Sequence, residues 1–459
     1  MKKNAQILLY VGANSFFKSQ YDLAIFFKKN GYEIFILFDK MYPTIKHDLE
    51  LCKKDEIKII QTFDNFSKKY INILNIKYLL FRLFRKLDKI LFQGFFNELT
   101  RSAKAYKFYL NLISAYNFEL LIMVSDLVQY DSGILIKAFH KTNIKVLTFP
   151  LFAANFKEAL ISLNKVTDSK ISKTVYKFLI HSKLFSKWVI DYKDRYFIRL
   201  PFIKVLVREI MRTAPSNPWS INSGKIDLMC VEGKAVKQLF INYNTLDTDK
   251  IIITGSLATD KLMYSLERKN ELTQAIYIEN GFSIQKKLAL VAFPPDMFDT
   301  FTPNEFETYE EMINFWIENI FCLTNYNILF TIHPSVEKSQ YKWFVDKGCK
   351  IVNSSTIDVI GLCDLYIASI SATIQWAIAS GKPVINFDVY DTDYDDYKEV
   401  KAVLYAKTKN EFKNLLHNID NLKNLKYYEN MQNKNAPDWA IQDTKSHQRI
   451  IEIIESNLK

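Results

Sequence analysis

The residue types best suited to chemistry lie in Thr331-Ile-His-Pro-Ser335, in Asp364-Leu-Tyr-Ile-Ala-Ser-Ile-Ser-Ala-Thr373, and in Gly381-Lys-Pro-Val-Ile-Asn-Phe-Asp388. The first two stretches end apolar strands in small hydroxyl or imidazole side chains, and open α/β sheets bind ligands at the carboxyl ends of strands. Two such endings in one half of the chain predict a site for a nucleotide phosphate. His333 can donate a hydrogen bond or a proton to phosphate, and Pro334 biases it toward extended backbone. A departing nucleotide gathers negative charge, which donors fixed at that oxygen stabilise. Ser369, Ser371 and Thr373 precede a helix expected over 374–380, where free amides and the helix dipole attract phosphate. Capping that helix uses the same geometry. Gly255 and Ser256 at another strand end, and Pro294 after a third, complete the expected donor-binding set. Gly381 reads as a helix C-cap.

Other chemistries find less support. The first loop, Gly12-Ala-Asn-Ser15, lacks a GxGxxG fingerprint, which disfavours NAD. The acidic, aromatic run from Asp388 to Tyr397 lacks the ligand spacing of a calcium loop and reads as a solvated loop facing the acceptor. Five scattered cysteines show no CxxC spacing, so no disulfide framework and no metal site is expected. A reducing cytoplasm suits them.

These residues need elements to position them. Strands are expected at 7–11 and 32–38 around a helix at 19–29, a βαβ opening. Strands at 120–125 and 145–149 flank a helix at 132–141, which again indicates a parallel sheet with right-handed crossovers. Between these, 66–115 and 156–211 carry helical spacing, as insertions. Prolines, serines and asparagines in Thr213–Gly224 mark a linker. A second βα series follows, with strands at 225–231, 251–254, 288–293, 327–332, 365–368 and 383–387, the last closing it. A terminal helix at 439–458 is expected to return to the first domain. The fold class expected is α/β, with two Rossmann-like domains at 1–218 and 225–435 facing a central cleft, and a cross-over segment at 436–459.

Length and charge set the outer frame. At 459 residues, 49% hydrophobic and 24% charged, the chain is globular and favours two domains. Its net charge of +11 is concentrated: Phe66–Leu110 holds 10 Lys and Arg against 2 acidic residues, and Leu151–Thr213 holds 13 against 5. Both segments interleave cations with aromatics and leucines, as amphipathic helices on an anionic membrane surface do. A core-packed helix with a solvated basic face gives the same pattern. No recognition-helix, zinc-finger or RNP-like signature accompanies the charge, so nucleic acid is not an expected partner. The short apolar run near Met1 reads as a first strand rather than a signal peptide, and no run approaches the roughly 18 residues needed to span a bilayer.

This architecture resembles GT-B glycosyltransferases. The run Ile251–Asp260, the His333-Pro334 pair and the stretch Asp364–Asp388 resemble the carboxyl-terminal domain of bacterial surface-polysaccharide transferases, over roughly 225–397. The HP motif with downstream serines is similar to that of sialyl, polysialyl and Kdo transferases, although Ser369-Ile-Ser371 separates serines that those families often hold adjacent. The resemblance implies an inverting, metal-independent transferase without cofactor. Its substrates would be a nucleotide sugar, favoured as a CMP-linked acid sugar, and a growing surface glycan or glycolipid. The enzyme would be cytoplasmic or peripheral on the inner membrane face. Such a reaction needs a base for the acceptor hydroxyl, expected from Asp126 after the strand at 120–125, with Asp131 and Asp22 in reserve. Asp126 could instead cap the helix near Ser132. The alternatives are a CDP-glycerol-type polyol-phosphate transferase, a UDP-N-acetylglucosamine 2-epimerase-like isomerase and a non-catalytic partner protein.

Overall fold

The computed structural model describes residues 4–39, 45–60, 88, 94–151, 159–160, 163, 169–192, 194–243, 246–299, 303, 305–332, 341–352, 354–394 and 396–458. The chain forms two compact units: Met1–Val231, Gln238–Ile252 and Ile450–Lys459 in the first, Glu232–Lys237 and Ile253–Arg449 in the second.

In the first unit the strands are β1 (Gln6–Val11), β2 (Glu33–Phe38), β3 (Lys58–Ile60), β4 (Phe118–Met123), β5 (Lys145–Thr148), β6 (Val189–Tyr192), β7 (Arg195–Ile198), β8 (Leu228–Val231) and β9 (Ile251–Ile253). The main sheet runs β3-β2-β1-β4-β5-β8-β9. β1 pairs in parallel with β2 and β4, and β5 with β4 and β8. Helices Phe17–Lys29, Phe95–Ala115 and Ser132–Lys141 accompany this sheet. Strands covered on both faces have no reason to alternate polar and apolar residues, and β1 and β4 read as continuous apolar runs for that reason. Phe35 and Phe118 meet edge to face at 5.2 Å within the core.

Three expectations change here. Residues 225–231 and 251–254 were expected to begin the second domain, yet β8 and β9 complete the first sheet. Thr213–Gly224 is correspondingly not a linker: Asn217 and Ser220 hydrogen-bond the Tyr243 carbonyl within the first unit. The stretch 156–211 was expected to be helical throughout. Helices Lys173–Ile180 and Phe202–Ile210 are present, but β6 and β7 form an antiparallel hairpin between them, turning at Asp194 with φ +58°. Of the stretch 66–115, residues 66–87 and 89–93 lie outside the described residues, and the helix Phe95–Ala115 occupies its end.

The second unit holds β10 (Lys287–Ala292), β11 (Tyr326–Thr331), β12 (Leu365–Ala368), β13 (Val384–Phe387) and β14 (Val403–Ala406), ordered β11-β10-β12-β13-β14 and parallel. Its core is aromatic: Phe387 stacks on Phe412 at 4.6 Å and on Trp316 at 5.8 Å. The run from Asp388 to Tyr397 corrects its sequence reading. Val389, Tyr390, Tyr394 and Tyr397 are buried, and Asp388 accepts from the Thr392 and Asp393 amides at 3.0 and 2.8 Å, so this is a packed turn rather than a solvated loop. The helix Leu422–Trp439 runs through Pro437, and a second helix follows at Ser446–Asn457. Ile450 and Ile454 of this last helix are fully buried, and Asn457 accepts from Lys145 at 2.8 Å within the first unit.

Candidate functional site

In the second unit, the carboxyl ends of β10, β12 and β13 carry predicted residues. After β10 the chain passes through Pro294 and Pro295, whose carbonyls accept from the Tyr309 and Tyr390 hydroxyls at 3.0 and 2.6 Å. Two tyrosines thus pin this turn. After β12, Ser369 is buried and its hydroxyl has no hydrogen-bond partner. The next residue, Ile370, sits at φ +42°, a region that a β-branched side chain strongly disfavours. Its amide donates to Asn386 Oδ1 at 3.0 Å, while Asn386 Nδ2, buried on β13, has no partner. Ser371 and Thr373 bond each other at 2.7 Å, and the Tyr366 hydroxyl joins Thr373 at 2.5 Å. Strain with orphaned buried polar atoms is expected where a ligand, rather than the protein, completes the hydrogen bonding. His333 and Pro334 follow β11 in sequence and lie outside the described residues.

Gly255 and Ser256 occupy a tightly built corner. Gly255 has φ +74°, and a Cβ there would lie 2.0 Å from Ser446 Oγ, so both backbone conformation and space require glycine. Ser256 caps the helix Leu257–Glu267 through a reciprocal box with Thr259 and donates to Glu232 Oε1 at 2.7 Å. Gln375 donates to the other Glu232 oxygen at 3.0 Å. Burial pushes the Glu232 carboxyl up to about 7, with the Ser256 hydroxyl holding it back. Glu232 was not singled out from the sequence. Its signal was the one applied elsewhere, a polar residue and a glycine directly after a strand, in Cys230-Val-Glu-Gly233.

The expected bases lie in the first unit and differ in kind. Asp126, beyond β4, is 6% exposed and accepts from the Asn222 and Gly224 amides, both at 2.5 Å. Its own amide donates to Asn222 Oδ1 at 3.2 Å. A Cβ on Gly224 would stand 2.3 Å from Asp126 Oδ2, so glycine admits this approach. Burial pushes the Asp126 carboxyl up to about 6, and the two amides moderate the rise. It does not cap the helix at Ser132; Asp131 stands at that position without a side-chain cap bond. Asp131 is held in a bidentate pair with Arg101 at 2.8 and 2.9 Å. Asp22 lies inside the helix Phe17–Lys29, paired with Lys18 four residues earlier, and not at a strand mouth.

Among the described residues no group of three or more His, Cys, Asp or Glu is placed to hold a metal ion. No helix among them is long and apolar enough to cross a membrane.

Comparison with solved structures finds the same fold. A wall teichoic acid polymerase TagF variant matches with TM-score 0.52 at 14% identity, over 100% of this chain and 89% of that one. The glycotransferase of kitacinnamycin matches with TM-score 0.53 at 8% identity, covering 100% of both chains. UDP-GlcNAc 2-epimerase from Neisseria meningitidis matches with TM-score 0.50 at 13% identity, over 98% of this chain and 100% of that one. The fold is thus α/β with parallel sheets and GT-B-like. No curated protein matches the sequence significantly. Residues 201–456 match the model of the family described as CDP-Glycerol:Poly(glycerophosphate) glycerophosphotransferase. That match favours the polyol-phosphate alternative over the CMP-linked acid sugar transferase, which finds no support in it. Over more than half its length, this chain is a member of the CDP-glycerol:poly(glycerophosphate) glycerophosphotransferase family, and it is a transferase.

Proposed function

We propose that this protein transfers glycerol phosphate from CDP-glycerol to the hydroxyl end of a phosphate-containing surface polymer or its lipid-linked primer. The acceptor oxygen forms a bond to the phosphorus bearing glycerol, the bond from that phosphorus to the CMP oxygen breaks, and CMP leaves. The family match over 201–456 carries this reading. The second unit supports it with donors for a nucleotide phosphate: the Ser369 and Asn386 groups without protein partners, Ser371 and Thr373. His333, with Pro334, protonates or hydrogen-bonds the departing CMP oxygen. Pro294, Gly255 and Ser256 shape the donor side, and Asp126 takes the acceptor proton, its raised pKa suiting a base. The reaction proceeds without a resident metal or cofactor.

The acceptor is presented at an anionic membrane surface on the cytoplasmic side. In the first unit Phe178 is 77% exposed, with Val175, Leu184 and Phe202 also exposed, beside Lys173, Lys177, Lys183 and Lys204. Apolar side chains interleaved with lysines suit that surface.

The test is radiolabelled CDP-glycerol with a glycerophosphate primer. Chain extension with CMP release is expected, and His333→Ala should slow it by about 10²-fold or more. CMP release from CMP-linked acid sugars but not from CDP-glycerol would overturn the donor assignment.

A further inference from the structure

The first unit contains a cavity of ≈ 180 Å³ whose wall gathers Lys137, Arg208, Arg212 and Lys225, and the function above leaves these four unused. Arg208 and Arg212 come from the end of the helix Phe202–Ile210 and the turn after it, Lys137 from the helix Ser132–Lys141, and Lys225 from the approach to β8. A cavity of this volume has room for about six waters at ≈ 30 Å³ each. A glycerol phosphate group fits that space.

The cations are poorly neutralised by the protein. Arg208 is 8% exposed and gives one hydrogen bond, to the Tyr130 carbonyl at 2.7 Å, while its buried Nε has no partner. Asp131 and Glu98 favour its charge from beyond ion-pair distance, and both are themselves committed to Arg101. Arg212 and Lys225 are exposed and, among the described residues, pair with no carboxylate. Lys137 donates to the Met211 carbonyl at 2.6 Å, and burial together with the charges of Arg212 and Lys225 lowers its pKa. Asp126 is the carboxylate of this wall, and both its oxygens already accept backbone amides. Leaving a buried guanidinium donor empty beside three more cations is costly unless an anion completes the site.

We propose that this cavity is a phosphate-ester site that holds a phosphodiester of the acceptor chain and so delivers its terminal hydroxyl. The proposal rests on the glycerophosphotransferase reading. Guanidinium forks suit phosphate oxygens, and a polymer of glycerophosphate offers one such group in every repeat.

Calorimetric titration of the full chain with a short glycerophosphate oligomer, with glycerol 3-phosphate and with inorganic phosphate tests it. The oligomer should bind more tightly than inorganic phosphate. Arg212→Gln and Lys225→Gln, both at exposed positions, should each weaken oligomer binding about 10-fold, the loss of one charge-assisted hydrogen bond, with CDP-glycerol affinity unchanged. Arg208→Lys should weaken it too, and thermal melting separates that loss from misfolding. Inorganic phosphate binding as tightly as the oligomer would assign the cavity to a free ion and overturn the acceptor role. Unchanged oligomer binding in the Arg212 and Lys225 variants would overturn the site itself. Loss of CDP-glycerol binding with the oligomer site intact would instead count against the donor reading.

Discussion

Replacing Asp126 with asparagine changes two things that pH can separate. Folding raises the Asp126 pKa from the ordinary 3.8 to about 6. The folded state therefore holds this proton more tightly than the unfolded chain does. Its contribution to stability is complete below about pH 4 and disappears as pH rises through 6. Two pKa units at 1.36 kcal/mol each make this loss about 3 kcal/mol. The side-chain amide of the Asp126→Asn variant does not titrate, so the variant escapes that loss. It has one acceptor oxygen for the two amides of Asn222 and Gly224, a pH-independent penalty of about 1–3 kcal/mol. Between pH 4 and pH 7 the variant should therefore gain up to about 3 kcal/mol on the wild type, so that any deficit it shows at pH 4 is offset or reversed by pH 7. Hydrogen-exchange protection of the Asn222 and Gly224 amides, corrected for intrinsic exchange, measures this locally and needs no two-state unfolding. A gap that stays constant between pH 4 and 7 would refute the assignment of a raised, amide-bound carboxyl.

Glu232 follows the same sign in the second unit: Glu232→Gln should gain on the wild type between about pH 4.5 and 7, read as a narrowing difference in denaturant midpoint. Gly255→Ala should destabilise by more than the ~1–2 kcal/mol of the left-handed backbone alone. Adding Ser446→Gly should recover the excess but not the backbone part, as seen by thermal melting. Ile370→Gly relieves a strained φ and should leave stability equal or raised by up to ~1 kcal/mol while lowering the transfer rate. Equal loss of both would show that Ile370 acts through packing alone.

Much of the architecture was readable from apolar runs. β1, β2, β4, β5 and the strands from β10 to β13 are long enough, or bounded clearly enough by turns, to stand out. β3 is three residues beginning with a lysine, and β14 follows a buried tyrosine-rich turn that looks polar in sequence, so both were missed. The hairpin of β6 and β7 turns at Asp194 without a glycine there, and its charged strands resemble an amphipathic helix. Strand identity says nothing about sheet membership. β8 and β9 are apolar strands whichever sheet receives them, and only tertiary pairing sends them to the first. At the site, hydroxyls at strand ends were legible because their positions follow from the strands. Asp126 stood out by its place after a strand, but the partners that surround it and the whole setting of Glu232 were not legible, since they involve Asn222, Gly224, Ser256 and Gln375, residues up to 143 positions away in the chain.

The division of the chain bears on how it is made. A nascent polypeptide emerging from the ribosome exposes β1 to β5 first, yet the sheet they open still lacks β8 and β9, and the unit still lacks Ile450–Lys459. Domains usually fold as units during synthesis, amino-terminal first. Here the earliest-made unit is finished last, after the whole of the second unit has been translated. A premature stop near 449 would thus spare the more recently synthesised half and injure the oldest, leaving Lys145 without Asn457 and the site of Ile450 and Ile454 unfilled. Such a truncation should be a substrate for chaperones and proteases through its beginning rather than its end.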